Sequence, residues 1–290
     1  MEKKALVNGI LLVLNVVILI VNIIFFTKHN DDNIGTENPT EEKTSRKEHI
    51  FINIPDIYPP EKTTSKIIDD DTIDIDKFQK DFKWTADSNE TKKIIELDFI
   101  SQADYPTGCE SVTACMALRY MGYDISVDTF IDEYLEKHEI SVRNGITYGE
   151  DPYKYFIGNP RSRGGYGCFS PVIENTLIKI AGSDAVHNLG GRSIDSIIEN
   201  YVSNGIPVIM WATIDMGEMS PGNSWYISRI NQIYTWLGGE HCLLLAGFDE
   251  DNYYFYDPQE GLVAYGKDVV KKRYMEMGGQ ALALVKVNKK

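Results

Sequence analysis

The pattern of apolar and polar positions divides the chain into three stretches of different character. Residues 5–26 are almost wholly apolar, residues 27–91 are polar and acidic, and residues 92–290 alternate short apolar runs with turn residues. An apolar stretch of about 20 residues can cross a bilayer as a helix, whereas a polar stretch without apolar periodicity behaves as a solvated tether. The pattern therefore predicts a cytoplasmic stub and transmembrane signal anchor in residues 1–26, a flexible acidic linker, and one globular domain in residues 92–290.

The charges around the apolar stretch predict its orientation. Lys3 and Lys4 precede the stretch, and Lys28 is the close basic residue after it. The positive-inside bias then places the N-terminus in the cytoplasm and the rest of the chain outside. The stretch is longer than the apolar region of a cleaved signal peptide, and it ends without a small-residue cleavage site. We therefore expect an uncleaved single-pass anchor in the cell membrane, with an extracytoplasmic domain.

Three asparagines interrupt the apolar stretch. Asn8, Asn15 and Asn22 recur at heptad spacing, so they share one face of a helix. Amides that face lipid tails lack hydrogen-bond partners, and bonds between helices would satisfy them. One hypothesis is that this asparagine stripe pairs with a second copy of the chain or with a membrane partner. The alternative is that the asparagines are tolerated without any partner.

Within the globular domain, capping residues and apolar spacing predict helices followed by strands. Ser126 and Ser193 are placed to cap helices, and Pro171 lies at a first helical position. Helices are expected at residues 109–121, 126–137, 170–182, 193–205 and 268–277. Strands are expected at residues 94–100, 207–212, 241–247, 253–256, 262–265 and 281–287. Helices first and antiparallel strands later are typical of an α+β domain.

Charge and cysteine usage exclude several classes of function. The net charge is −14, whereas a nucleic-acid-binding protein needs a basic face, so we expect no nucleic-acid partner. None of the cysteines forms a Cys-x-x-Cys pair, so zinc-ribbon and thioredoxin-like sites are unsupported, and we expect no metal and no cofactor. A free thiol outside the cell suits an envelope poor in disulfide machinery, as in a Gram-positive bacterium. The four cysteines are Cys109, Cys115, Cys168 and Cys242.

The strongest candidate for chemistry is Cys109, in the run Pro-Thr-Gly-Cys-Glu-Ser. A turn-rich loop ends at this cysteine, and an apolar helical pattern begins there. The unpaired N–H groups and the positive dipole end at a helix N-terminus favour the thiolate, which is the nucleophilic form. The same N–H groups can stabilise an oxyanion, and Gln102 in the preceding loop could supply a second donor. The alternative is that Cys109 is a small buried hydrophobe of the helix.

A nucleophilic cysteine needs a base, and the base needs a residue that orients it. Among the five histidines, only His241 leads directly into an apolar strand. The next predicted strand ends at Asp257, where a carboxylate could accept a hydrogen bond from the imidazole and fix its tautomer. Each residue alone has a structural alternative, because a strand-start histidine is commonly structural and Asp-Pro is commonly a turn. The order Cys109, His241, Asp257, with Gln102 upstream, favours catalysis.

These residues resemble the bacteriocin-processing (double-glycine-type) cysteine peptidases, in particular their stand-alone branch, which have a papain-like fold. The resemblance implies that Cys109 is the nucleophile, His241 the general base and acid, and Asp257 the orienting residue. It also implies that Gln102 and the Cys109 N–H form the oxyanion hole. Well-understood relatives cut leader peptides on the cytoplasmic side, so leader processing is not carried over to a chain expected to face outward. The matching stretches are residues 106–111, 165–171, 211–213, 240–242 and 256–258.

The sequence thus predicts a membrane-anchored, extracytoplasmic cysteine peptidase with an α+β, papain-like fold. We expect it to cleave a peptide or protein substrate through a thioester acyl-enzyme, and an amine acceptor in place of water would make it a transpeptidase. Residues 149–167, whose pattern assigns no secondary structure, and the predicted loop at residues 216–225 are expected to form the cleft walls. The alternatives are a non-catalytic binding module of the same fold and a peptidoglycan amidase.

Overall fold

The computed structural model of the protein describes residues 92–286. The predicted anchor, the asparagine stripe, the linker and residues 287–290 lie outside the described residues. Within residues 92–286, no helix has the length and hydropathy needed to span a membrane. The α-helices of this part of the chain are α1 Cys109–Tyr120, α2 Val127–Thr129, α3 Ser170–Ala181, α4 Ile194–Asn200 and α5 Lys267–Glu276.

The larger sheet contains the strands that carry the predicted histidine and aspartate. It consists of β1 Lys93–Ile94, β6 Val186–Asn188, β7 Val208–Thr213, β10 Glu240–Phe248, β11 Asn252–Asp257, β12 Gly261–Gly266 and β13 Ala281–Leu284. The spatial order is β12–β11–β10–β7–β13–β6, with β1 against the end of β10, and every pair is antiparallel. Continuous apolar runs form β7 and β10, and both strands are buried almost throughout.

The helix α1 packs against β10 and β7 and lies at the centre of the core. Every residue from Cys109 to Leu118 is buried, so this helix has no solvent-facing side over that length. The Thr113 hydroxyl donates a hydrogen bond to the Cys242 carbonyl oxygen at 3.0 Å, which ties α1 to β10 and satisfies a buried polar group. As a result, the first turn of α1 lies against the first residues of β10.

A smaller sheet and a short strand pair complete the domain. The sheet has the order β3–β4–β8–β9 and consists of β3 Ser141–Arg143, β4 Ile146–Tyr148, β8 Ser220–Ile227 and β9 Gln232–Gly238. The pair consists of β2 Lys137–His138 and β5 Phe156–Ile157, which are parallel. The prediction of a loop at residues 216–225 is wrong from Ser220 onward, because β8 pairs with β9. Turn-forming residues within β8 are accommodated by a register shift between Pro221 and Ser224.

The capped helices begin where the sequence predicts. The Ser126 and Ser193 side chains accept hydrogen bonds from backbone N–H groups three residues further on. The helix predicted at residues 126–137 is shorter, because α2 continues as a π-helical turn that ends at Tyr134. The helix predicted at residues 193–205 ends as α4 at Asn200. Mixed helices and antiparallel strands confirm the predicted α+β class.

Candidate active site

Cys109 is the first residue of α1 and is buried, with 6% of its surface exposed. The preceding Gly108 makes this position possible. A Cβ at Gly108 would lie 2.9 Å from the Tyr105 Cβ and 3.1 Å from the Pro160 Cβ, so a side chain there would force the loop apart. The Gly108 N–H also donates to the Tyr105 carbonyl oxygen at 2.8 Å. The tight loop therefore delivers the thiol directly to the helix N-terminus.

His241 and Asp257 form a buried pair on adjacent strands. His241 Nε2 lies 2.9 Å from Asp257 Oδ1, and the two side chains are only 1% and 2% exposed. His241 is the second residue of β10, and Asp257 is the last residue of β11. Because Nε2 is bonded to Asp257, Nδ1 is the ring nitrogen left to exchange a proton with a nucleophile. The predicted contact between these two residues is therefore present.

The surroundings of Asp257 stabilise the charged form of its carboxylate. Burial alone would raise the pKa, but the hydrogen bond and charge of His241, with backbone N–H donors, outweigh burial and hold the pKa below its usual value. One of these donors is the Gln259 N–H, at 2.8 Å from Asp257 Oδ1. An ionised carboxylate in this position fixes the imidazole tautomer and stabilises an imidazolium.

Gln102 lies in the loop between β1 and α1, beside the end of β11. Its backbone N–H donates to the Pro258 carbonyl oxygen at 2.8 Å, which places it next to the segment that carries Asp257. The residue is 5% exposed, and its side-chain Oε1 has no hydrogen-bond partner. Oε1 is an acceptor and can bind an N–H group of a ligand, whereas the NH2 group of the same side chain is the one that can donate to an oxyanion. The backbone hydrogen bond to Pro258 thus holds Gln102 beside the strand end that carries Asp257.

Two glutamates that the sequence reasoning did not consider lie next to the thiol. Glu110 follows Cys109 in α1, Glu240 precedes His241 in β10, and both are buried. The Cys109 Sγ and one carboxylate oxygen from each of Glu110 and Glu240 all lie within 4.8 Å of one another. Glu110 Oε2 is 3.4 Å from the Cys109 Sγ and accepts its hydrogen bond. A local signal existed in the sequence, because each glutamate interrupts or borders an apolar run.

These surroundings change the expectation for the Cys109 thiol. Burial, followed by the charge of the neighbouring Glu110, raises the pKa of Cys109 well above its usual value. The position at a helix N-terminus acts in the opposite direction. Among residues 92–286, no hydrogen bond joins Cys109 to His241, and the thiol donates to Glu110 instead. The structure therefore holds the nucleophile candidate in its protonated form.

Comparisons with known proteins point to one family. A family model described as peptidase C39-like matches residues 94–282. The chain is 25% identical over 245 residues to YvpB, an uncharacterized protein of Bacillus subtilis (strain 168), covering 81% of this chain and 89% of YvpB. A Bacillus anthracis crystal structure assigned to the C39-like peptidases superposes with a TM-score of 0.58 at 24% identity, covering 66% of this chain and 96% of that chain. The residues matched by the family model, 94–282, include all four predicted site residues.

Proposed function

Because the chain belongs to the peptidase C39-like family, we propose that it is a cysteine peptidase that hydrolyses amide bonds through a thioester on Cys109. The observation that carries this proposal is the buried bond between His241 Nε2 and Asp257 Oδ1 at 2.9 Å. This oriented imidazole lies on the strand against which the helix of Cys109 packs. Nucleophilic catalysis by cysteine requires such a combination of thiol, base and orienting group. We further propose that the chain belongs to a stand-alone branch of these peptidases.

The proposed reaction begins with transfer of the Cys109 proton to His241 Nδ1. The thiolate attacks the carbonyl carbon of the substrate, and the negative charge that develops on the carbonyl oxygen is stabilised by the Cys109 N–H and the Gln102 side chain. The imidazolium then donates its proton to the leaving amine as the C–N bond breaks, leaving an acyl group on sulfur. Water attacks this thioester with His241 as the base, and the acid product leaves. Asp257 stabilises the imidazolium in both steps.

A peptide or protein substrate is proposed because the reaction needs an amide carbonyl and because an acidic protein repels nucleic acid. We also propose that residues 1–26 anchor the protein in the cell membrane with the domain outside the cytoplasm. Pairing of the anchor with a second copy or a membrane partner through the Asn8, Asn15 and Asn22 stripe is part of this proposal. A membrane self-association assay tests the stripe: substitution of the three asparagines by leucine should weaken the dimer signal, and an unchanged signal would contradict pairing.

Peptide cleavage tests the proposed reaction. The full-length protein in detergent would be incubated with a library of peptides, and mass spectrometry would identify new N-termini. We expect cleavage by the wild type and none by Cys109→Ala. Adding an amine nucleophile separates the two possible acceptors, because a transpeptidase gives the amide of that amine while a hydrolase gives the free acid. Equal cleavage by the wild type and Cys109→Ala would contradict the proposal.

One observation favours a second candidate, a non-catalytic binding module of the same fold. The Cys109 thiol is buried and donates to Glu110 rather than to His241. A binding module predicts that Cys109→Ala retains binding of the partner and that no substrate acylates the wild type. A peptidase predicts a covalent acyl group on Cys109 during turnover. Intact-protein mass spectrometry of a rapidly quenched reaction distinguishes these outcomes.

A further inference from the structure

The two buried glutamates next to Cys109 form a carboxylate pair that the proposed reaction does not use. Glu110 lies on α1 and Glu240 on β10, so the pair bridges the helix of the nucleophile and the strand of the base. Both carboxylates converge on the backbone of Gly167, where a Cβ would lie 2.4 Å from Glu110 Oε1 and 3.2 Å from Glu240 Oε2. A side chain at position 167 would therefore push into the pair.

No cation accompanies this pair among residues 92–286. Neither glutamate takes part in an ion pair with a lysine, an arginine or a histidine of the described chain. Ionising two buried carboxylates that lie close together has a large free-energy cost, so one of them must bind a proton or a cation. His241, the nearest base along the chain, is bonded to Asp257. Four other titratable groups interact with the pair, and each of them is an acid: Cys109 of α1, Cys168, Tyr234 of β9 and Cys242 of β10.

The hydrogen bonds distinguish the two members of the pair. Glu110 accepts from the Cys109 thiol at 3.4 Å and from the Cys168 N–H, so its charged form is stabilised. Within the described part of the chain no such donor contacts Glu240, and its Oε1 is buried without a partner. Burial raises the pKa of Glu110 to about 7, and burial together with the charge of Glu110 raises the pKa of Glu240 well above its usual value. The proton of the pair therefore resides mainly on Glu240.

We propose that Glu110 and Glu240 are positioning residues that hold one proton between them, and that the remaining charge on Glu110 keeps the Cys109 thiol protonated. This role presupposes the cysteine peptidase activity proposed above. While Glu110 is charged, it opposes formation of the Cys109 thiolate. The pair thus raises the pH at which the free thiolate forms, and it is built from the two residues adjacent to the nucleophile and the base.

The pH dependence of Cys109 alkylation tests this role in the full-length protein. Iodoacetamide would be added in trace amounts at a series of pH values, and mass spectrometry would report the modification of each cysteine. Glu110→Gln removes the charge beside the thiol, so the apparent pKa of Cys109 should fall by at least about one unit. Because a less basic thiolate is also a weaker nucleophile, alkylation below that pKa should accelerate about threefold per unit. Burial raises the pKa of Cys115 to about 12, so its alkylation reports unfolding of a variant.

Glu240→Gln is the matched variant, because an amide mimics a protonated carboxyl. If Glu240 already carries the proton, this variant should leave the Cys109 profile within a few tenths of a pH unit. A shift as large as that of Glu110→Gln would show that Glu240 is ionised and would overturn the proposal. An unchanged profile in Glu110→Gln would also overturn it. His241→Ala tests the proposed activity separately. If the pH profile of Cys109 alkylation is the same in His241→Ala as in the wild type, His241 is not the catalytic base. The comparison of Glu110→Gln with Glu240→Gln remains valid in that case.

Two further measurements keep the proposal falsifiable if a variant fails to fold. Glutamate labelled with 13C at the carboxyl carbon would be titrated by NMR in the wild type, and we expect one or two resonances to titrate at pH 6 or above. Titration of every glutamate near the ordinary pKa of about 4.3 would overturn the proposal. The wild-type alkylation profile would also be repeated with a chelator and with added Zn²⁺. A profile that changes on chelation alone would show that a bound cation, rather than a proton, neutralises the pair.

Discussion

Substitution of Asp257 separates the two effects that its carboxylate has on His241. Its Oδ1 accepts hydrogen bonds from His241 Nε2 at 2.9 Å and from the Gln259 N–H at 2.8 Å, and its negative charge stabilises an imidazolium. Asp257→Asn keeps an oxygen acceptor and removes the charge. Since both partners are donors, the amide oxygen is the atom that should face them. Asp257→Ala removes the acceptor and the charge together.

The expected magnitudes follow from the hydrogen-bond energies. A bond to a charged group contributes about 1.5–3 kcal/mol and a neutral bond about 0.5–1.5 kcal/mol, so Asp257→Asn should lose about 1 kcal/mol of transition-state stabilisation. Asp257→Ala loses the whole bond and leaves a buried donor unsatisfied, at a cost of about 2–3 kcal/mol. At 1.36 kcal/mol per tenfold change in rate, kcat/KM should fall about fivefold for Asn and about 30- to 150-fold for Ala.

The assay is the acylation rate of Cys109 by a cleavable peptide, measured for the wild type and both variants. Asp251→Asn is the control, because it removes the same charge from an exposed position at the other end of the β10–β11 hairpin. We expect the order wild type, Asn, Ala, with the control at the wild-type rate. Equal losses in the Asn and Ala variants, or rates within twofold of the wild type in both, would refute the orienting role of Asp257.

Three further predictions concern stability. Burial raises the pKa values of Glu110 and Glu240, so the folded state binds more protons than the unfolded state, and the free energy of unfolding should fall as pH rises from about 5 to 8. Denaturant unfolding at a series of pH values measures this, and the unfolding free energy of Glu240→Gln should fall less steeply with pH than that of the wild type. A wild-type stability that increases with pH would contradict the prediction. Gly167→Ala should cost about 1–3 kcal/mol, because its Cβ would clash with Glu110 and because Gly167 has a φ of +156°, which L side chains rarely adopt, whereas Gly266→Ala meets nothing within 4 Å and should be near neutral. Thr113→Val removes the 3.0 Å bond to β10 and should lower the unfolding free energy by about 1–3 kcal/mol; no loss would show that this bond contributes nothing.

Local signals predicted the elements that carry the site. A glycine before Cys109, a serine before each capped helix, and an apolar run after His241 are short-range patterns, and the structure follows them at α1, α4 and β10. The His241–Asp257 contact was predictable because two consecutive strands joined by a short polar turn become neighbours in a sheet. Neither inference needs knowledge of distant parts of the chain.

Features that depend on tertiary contacts were not predictable. β8 contains proline and glycine and reads locally as a loop, but pairing with β9 makes it a strand. Glu110 and Glu240 are far apart in sequence, and only the packing of α1 on β10 brings their carboxylates together. The state of Cys109 has the same origin, because its raised pKa comes from burial and from the Glu110 carboxylate beside it. A helix N-terminus alone predicts the opposite direction.

Covalent trapping of the nucleophile tests the central claim most directly. The full-length protein would be treated with a mixture of peptides that carry a vinyl sulfone, which reacts with an activated cysteine, and the adduct would be located by mass spectrometry. We expect one adduct, on Cys109, that is absent in Cys109→Ala and forms much more slowly in His241→Ala. Labelling of the other cysteines to the same extent, or an unchanged rate at Cys109 without His241, would contradict the account of this protein as a cysteine peptidase.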